Sequence, residues 1–247
     1  TFEEMGTDFR DPKLLLINDT LSLKCYGNRW DKNKKIRYNF LFNIGKRTDN
    51  IKLSKKVEVN YWPWSFSYSK VDNAWYSLAY NTPEKIFSLV NTKNFGSFNE
   101  SCNLSNIQYS PSEGRLLFTE NLMYYLVRRD GSTILGTAPI SNKCSINWTE
   151  LPLQYLGGPA ISLYKNRYLL IAGRDNYTGD LYSSENKTSI FVYDIQKKNL
   201  KRICILPSEG DTGYPGIVIT DNLMYMSYYS SADRKGIIKT AKIRLNF

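Results

Sequence analysis

"TENLMYYLVRRD" (residues 119–130) and "TDNLMYMSYYSS" (residues 220–231) are near-copies of each other, about a hundred residues apart. An internal echo at a fixed period sets the whole architecture of a repeat protein. Three further segments share the pattern: "INDTLSLKCYG" (17–27), "VDNAWYSLAY" (71–80) and "YKNRYLLIAG" (164–173). Each has a polar pair, usually ending in Asn, followed by a run of apolar and aromatic residues. Asn and Asp tolerate the positive φ that tight hairpin turns require. The run that follows has the length and composition of a strand.

The first residues of the polar pairs are Asn18, Asp72, Glu120, Lys165 and Asp221, at steps of 54, 48, 45 and 56. A period near ~50 with one hairpin per unit reads as a β-propeller, each unit a four-stranded blade. A first strand precedes each turn: "DPKLLLI", "WSFSYSKV", "GRLLFT", "PAISLY" and "YPGIVIT". Later strands follow, such as "KTSIFVYDI". No long amphipathic helical pattern interrupts them. The expected fold is therefore all-β: a five-bladed propeller with about 45–55 residues per blade, as a single domain over residues 1–247. A β-sandwich is the competing architecture, and the regular spacing favours the propeller. The last unit stops after a third strand, "GIIKTAKIRLNF". The expectation is that "TFEEM" (residues 1–5) supplies its outer strand, since closure removes an exposed sheet edge.

The bulk composition narrows the chemistry. The chain has 247 residues, 19 of them Tyr, and a formal net charge of +10. That charge favours anionic partners or a Lys-rich solvated surface. The Lys pairs at 34–35, 55–56 and 197–198 are too short for a nucleic-acid tail, and no nucleic-acid motif is present, so no nucleic-acid partner is expected. There is no histidine. This removes every mechanism that needs an imidazole base and argues against zinc, so neither a metal nor a cofactor is expected. Cys25 and Cys204 lie in apolar runs and read as buried thiols. Cys102 and Cys144 lie in polar stretches and could pair. No apolar run reaches the roughly 18 residues of a membrane span. Six N-x-S/T sequons, the first at Asn18, would matter in a eukaryotic secreted protein. The chain opens at Thr1 without a signal peptide, as a mature chain freed of its leader would, and a secreted or periplasmic location is the expectation.

In a propeller, the residues beside the first strand and just after the second line a central channel. Here those positions carry Arg10 and Asp11 in the first unit, and Trp62 and Trp64 in the second. The third carries Glu113, Arg128 and Arg129, the fourth Arg174, and the fifth Asp211, Tyr214, Tyr228 and Tyr229. Acids, arginines and aromatics at blade-equivalent positions suit sugar chemistry. Carboxylates serve as acid and base, an aromatic face stacks on a pyranose, and Arg binds an anionic group bidentately.

The order of "DFRDPKL", "SEGRLLFT…LMYYLVRRDG", "LGGPAISL", "LLIAGR" and "LPSEGDTGYPGIV…MYMSYYSS" resembles bacterial sialidase-like propeller proteins over nearly the whole chain. "APISNKCSINWTELPL" is similar to a worn Asp-box keeping Trp148. "FRDP" also resembles the motif of five-bladed fructan-cleaving hydrolases, in which its Asp stabilises the transition state; that likeness gives Asp11 such a role. The sialidase resemblance implies an anion clamp from Arg10, Arg128 or Arg129, and Arg174. It implies a nucleophilic pair of Tyr214 with Glu113, and Asp11 or Asp211 as the acid. Members of that family carry a leading blade ahead of the "RDPK" stretch, so a six-bladed relative lacking its first blade is the alternative. The expected function is a glycosidase acting on an anionic, sialic-acid-like sugar. The alternatives are a non-catalytic carbohydrate-binding propeller and a protein-interaction platform.

Overall fold

The computed structural model describes residues 6–32, 34–44, 51–175, 177–231 and 235–247. Its strands form five antiparallel meanders, each joined in chain order, and the fold class is the five-bladed β-propeller. Blade 1 is β1 (Thr7–Ile17), β2 (Thr20–Asp31), β3 (Lys34–Ile44) and β4 (Ile51–Glu58). Blade 2 is β5 (Trp62–Ser69), β6 (Ala74–Asn81), β7 (Ile86–Thr92) and β8 (Asn99–Asn103). Blade 3 is β9 (Gly114–Phe118), β10 (Leu122–Val127), β11 (Ile134–Pro139) and β12 (Asn147–Glu150). Blade 4 is β13 (Gly157–Tyr164), β14 (Tyr168–Asp175), β15 (Lys187–Asp194) and β16 (Asn199–Leu206). Blade 5 has three described strands, β17 (Gly213–Thr220), β18 (Leu223–Ser230) and β19 (Ile237–Arg244). The strand expected to complete it, residues 1–5, lies outside the described residues.

The polar pairs form the expected hairpins between first and second strands. Ile17 pairs with Thr20 across Asn18 and Asp19, whose φ angles are 47° and 59°. Two successive positive φ values are the two-residue turn whose twist matches its flanking strands. Lys165 and Asn166 (both 51°) and Asp221 (53°) play corresponding parts in blades 4 and 5. Blade 3 solves the turn differently: the Thr119 hydroxyl accepts from the Leu122 N–H at 3.1 Å.

Packing groups the chain into two compact units, Thr1–Ile107 and Gln108–Phe247. In the second, β14 shows why its sequence is apolar on both faces. Leu169 and Ile171 pack with Leu126, Leu135 and Phe191, while Leu170 and Ala172 pack with Met224, Met226 and Tyr228. A strand sandwiched between two neighbouring blades must be apolar at every position, whereas a strand with one wet face alternates. In the first unit, Leu15, Leu41, Phe66 and Phe95 form the contact between blades 1 and 2. Cys25 and Cys204 are free thiols, Cys25 buried and Cys204 half-buried.

Candidate active site

Four of the five first strands share an irregularity that composition does not reveal. The pairing of first with second strand slips between Arg10 and Lys13, between Pro63 and Phe66, between Gly157 and Ala160, and between Gly213 and Gly216. In each case two residues bulge out: Asp11 with Pro12, Trp64 with Ser65, Gly158 with Pro159, and Tyr214 with Pro215. A bulge bends the strand and re-aims a side chain that regular pleating would have pointed elsewhere. The leading residue is left-handed at Asp11 (φ 51°), Gly158 (54°) and Tyr214 (53°). For a tyrosine this conformation costs of order 1–3 kcal/mol and persists only where its surroundings enforce it.

Those surroundings are visible in the second unit. Arg115 on β9 donates from Nε to the Pro159 carbonyl at 3.1 Å and from Nη2 to the Pro215 carbonyl at 3.4 Å. One planar fork thus holds the bulges of blades 4 and 5 together, a geometry that a lysine point charge cannot reproduce. Gly158 makes room for the result. A Cβ there would lie 2.6 Å from the Tyr214 ring and 2.8 Å from its backbone nitrogen.

Around these bulges a compact polar cluster forms. Glu113 precedes β9 and accepts from the Gly158 N–H at 2.7 Å. Arg128, just past β10, reaches the same carboxylate at 2.8 Å. The Tyr214 hydroxyl faces Glu113 Oε1 at 3.5 Å, the outer limit of a hydrogen bond. Arg174 at the end of β14 is 1% exposed, bonds Asp211, and donates to the Tyr155 hydroxyl at 3.0 Å. Tyr155 also lies under the Arg128 guanidinium, 4.8 Å from its ring centroid, and stacks on Tyr177 at 4.6 Å. Thus five of the residues singled out in the sequence, Glu113, Arg128, Arg174, Asp211 and Tyr214, meet in one place.

Burial and charge set the protonation states. Burial pushes the Tyr214 hydroxyl far above the usual phenol range, and the Glu113 and Asp211 carboxylates add to the shift. Tyr214 therefore carries its proton at neutral pH, so any nucleophilic use of its oxygen requires a base, and Glu113 is the group within reach. Burial also raises Asp211, and the Arg174 charge offsets this only in part. For Arg128, burial opposes the charge, but Glu113 and Tyr155 outweigh it and hold the guanidinium protonated. Arg128 pairs with Glu113 and Arg174 with Asp211, one guanidinium to each carboxyl group.

The remaining second-unit candidates stand outside this cluster. Arg129 is buried and spent locally, donating to the Ser132 carbonyl at 2.6 Å and pairing with Glu150. Tyr228 packs in the core between blades 4 and 5, its hydroxyl on the Pro207 carbonyl at 3.2 Å. Tyr229 stands edge-on to Tyr214, centroids 6.4 Å apart, at the margin of the cluster. The Asp-box-like segment makes the connection from β11 to β12, with Trp148 edge-on to Tyr125 at 5.8 Å.

The first-unit candidates lie in blades 1 and 2. Arg10 is exposed and pairs with Asp8 at 2.6 Å. Asp11 sits at the blade 1 bulge, and its charge acts on Lys24. Lys24 is fully buried and donates to the Pro63 carbonyl at 2.8 Å, with the rings of Phe66 and Tyr26 at 5.5 and 5.9 Å. Burial lowers its ammonium to about 7, against the opposing pull of Asp11. Trp62 is stacked between Tyr26 (3.9 Å) and Tyr80 (6.0 Å). Trp64 is 2% exposed beneath the Lys13 ammonium, so its ring offers little open face to a ligand.

Reading the sequence missed Tyr155, Arg115 and Lys24. Tyr155 carried a usable signal, since it stands in the "YLGGP" approach to a first strand. Arg115 and Lys24 lie within strands and looked like ordinary strand residues.

The fold defines the class of protein: a five-bladed β-propeller. The chain matches no protein-family model, and no curated protein matches its sequence. Solved structures do resemble it. An α-L-arabinofuranosidase from Podospora anserina, in complex with cellotriose, superposes at a TM-score of 0.62 with 8% identity, covering 100% of this chain and 93% of that one. A thermostable family-43 glycoside hydrolase gives 0.63 at 11% identity over 98% and 90%. The Trypanosoma rangeli sialidase, in complex with 2,3-difluorosialic acid as a covalent intermediate, gives 0.61 at 10% over 96% of this chain and 44% of that one. The neighbours are glycoside hydrolases of several kinds, of which a sialidase is one. At such identities the likeness carries the fold, and function has to be argued from the site.

Proposed function

We propose that the chain, as a single propeller domain, is a glycoside hydrolase that cleaves an acid-bearing sugar at the Glu113–Tyr214 cluster. The carrying observation is the Tyr214 hydroxyl, 3.5 Å from Glu113 Oε1 on a backbone strained to aim it there. In this reading Tyr214 oxygen attacks the anomeric carbon while its proton passes to Glu113. Asp211, whose pKa burial raises, gives its proton to the leaving oxygen as the glycosidic bond breaks. Water then cleaves the glycosyl–tyrosine bond, Glu113 returns the proton to Tyr214, and Asp211 takes one from the water. Two displacements at one carbon retain its configuration. With Asp211 serving as the protonated acid, Arg174 keeps a positive charge that supports a substrate carboxylate. The sialidase neighbour supports the same class of sugar, whereas the arabinofuranosidase neighbour supports a neutral one.

The test is turnover of an aryl α-sialoside and an aryl α-L-arabinofuranoside by the intact protein. Glu113→Gln and Tyr214→Phe are expected to lose at least ~100-fold in kcat with sugar binding retained. A non-catalytic carbohydrate-binding propeller is the second reading, favoured by one feature: Glu113 and Asp211 each already hold an arginine. It predicts binding without turnover of either glycoside. If neither turnover nor binding occurs, both readings fail.

A further inference from the structure

The first unit contains a cleft of about 670 Å³ that shares no residue with the cluster around Glu113. Its volume falls within the range of small-ligand sites. Lys34, Lys35 and Arg37 on β3 form one wall, and Tyr61 and Phe98 also line it. Lys35 and Arg37 are two residues apart on a strand and share a face. Arg37 is held in place: its Nη2 donates to Asn81 Oδ1 at 3.4 Å, and Asn81 Nδ2 donates to the Asn60 carbonyl at 2.6 Å. Asn81 is buried, so this relay fixes the guanidinium before any ligand arrives.

The charges in the cleft are not balanced within it. Glu58 and Glu84 also line it, yet among the described residues neither forms an ion pair with Lys34, Lys35 or Arg37. Lys35 is driven below the usual lysine range by burial first, then by the positive charges of Arg37 and Arg10. An anion bound between Lys35 and Arg37 relieves that repulsion. The cationic wall is short and continues into Val57, Glu58 and Val59. A phosphate polymer needs a longer run of cations to gain from counterion release. One carboxylate is matched by a guanidinium fork with a neighbouring ammonium. Tyr61 and Phe98 add apolar ring surface of the kind that packs on the C–H face of a pyranose.

We propose that this cleft is a second carbohydrate site, which holds a uronic-acid residue of a glycan by its carboxylate. It stands on the cleft alone and survives if the proposed hydrolase activity fails. The experiment is calorimetric titration of the intact protein with digalacturonate, with neutral galactobiose and inorganic phosphate as comparison probes. Digalacturonate is expected to bind, to weaken several-fold from low to physiological salt, and to lose about ten-fold in affinity in Arg37→Met and in Lys35→Met. Tyr214→Phe is expected to leave this affinity unchanged. Circular dichroism and thermal melting check that the variants fold, and Lys35→Met, a half-exposed change, guards against a folding defect in Arg37→Met. Galactobiose binding as tightly as digalacturonate would overturn the proposal. So would phosphate displacing digalacturonate at equal concentration, unchanged affinity in both folded variants, or no digalacturonate binding.

Discussion

Arg115→Met removes a fork that spans three blades while keeping a side chain of similar reach. The wild-type guanidinium serves the Pro159 carbonyl at 3.1 Å and the Pro215 carbonyl at 3.4 Å, each freed from regular pairing by its bulge. A hydrogen bond to a charged group contributes about 1.5–3 kcal/mol, and an orphaned buried carbonyl costs about 1–3 kcal/mol. The longer contact belongs at the lower end of the first range. The two together give a loss near ~3 kcal/mol, which for a chain of this size is a fall in Tm of roughly 6–12 °C. Arg115→Lys can serve one carbonyl but not both, so it should recover about half the loss. The assay is urea unfolding of the intact protein, read by tryptophan fluorescence, for the wild type and both variants. If Arg115→Met lies within ~1 kcal/mol of wild type, or if lysine restores full stability, the fork does not hold the two bulges.

Three further outcomes follow from the same geometry. Gly158→Ala places a methyl group 2.6 Å from the Tyr214 ring on a backbone with φ of 54°, so overpacking and left-handed strain together should cost at least ~2 kcal/mol in urea unfolding. Lys24 is lowered from 10.5 to about 7 in the folded chain, so the unfolded chain binds more protons between those values and stability rises with pH across that window. The span amounts to roughly 5 kcal/mol, and Lys24→Met should lose most of that rise; equal slopes for the two proteins would refute the lowered Lys24 pKa. If Asp211 is the acid, kcat/KM falls as pH rises through its elevated pKa, and Asp211→Asn should remove that basic limb along with most of the turnover.

How much of this was legible beforehand depended on the range of the forces involved. The hairpins at Asn18 and Asp221 were readable because turn chemistry acts over two residues. Their spacing then implied blades without any contact being known. Glu113, Arg174, Asp211 and Tyr214 were readable as a set, since equivalent positions in repeated units come together when the units stack. Their pairing was not. Glu113 takes Arg128 while Arg129, its neighbour, turns to Glu150. Adjacent residues in extended chain point to opposite sides, and only the folding of blade 3 decides which side meets which acid.

The amino-acid sequence by itself determined an all-β chain with five repeated hairpins, because φ tolerance and strand composition are properties of a few consecutive residues. Tertiary structure alone decided the bulges, the left-handed Tyr214, and the Arg115 fork that reaches carbonyls 44 and 100 residues away. It also decided that the Lys24 amine is buried, which lowers its pKa to about 7. These depend on register and on long-range polar satisfaction, which no local pattern encodes, since a one-residue slip in pairing sends each side chain to the other face.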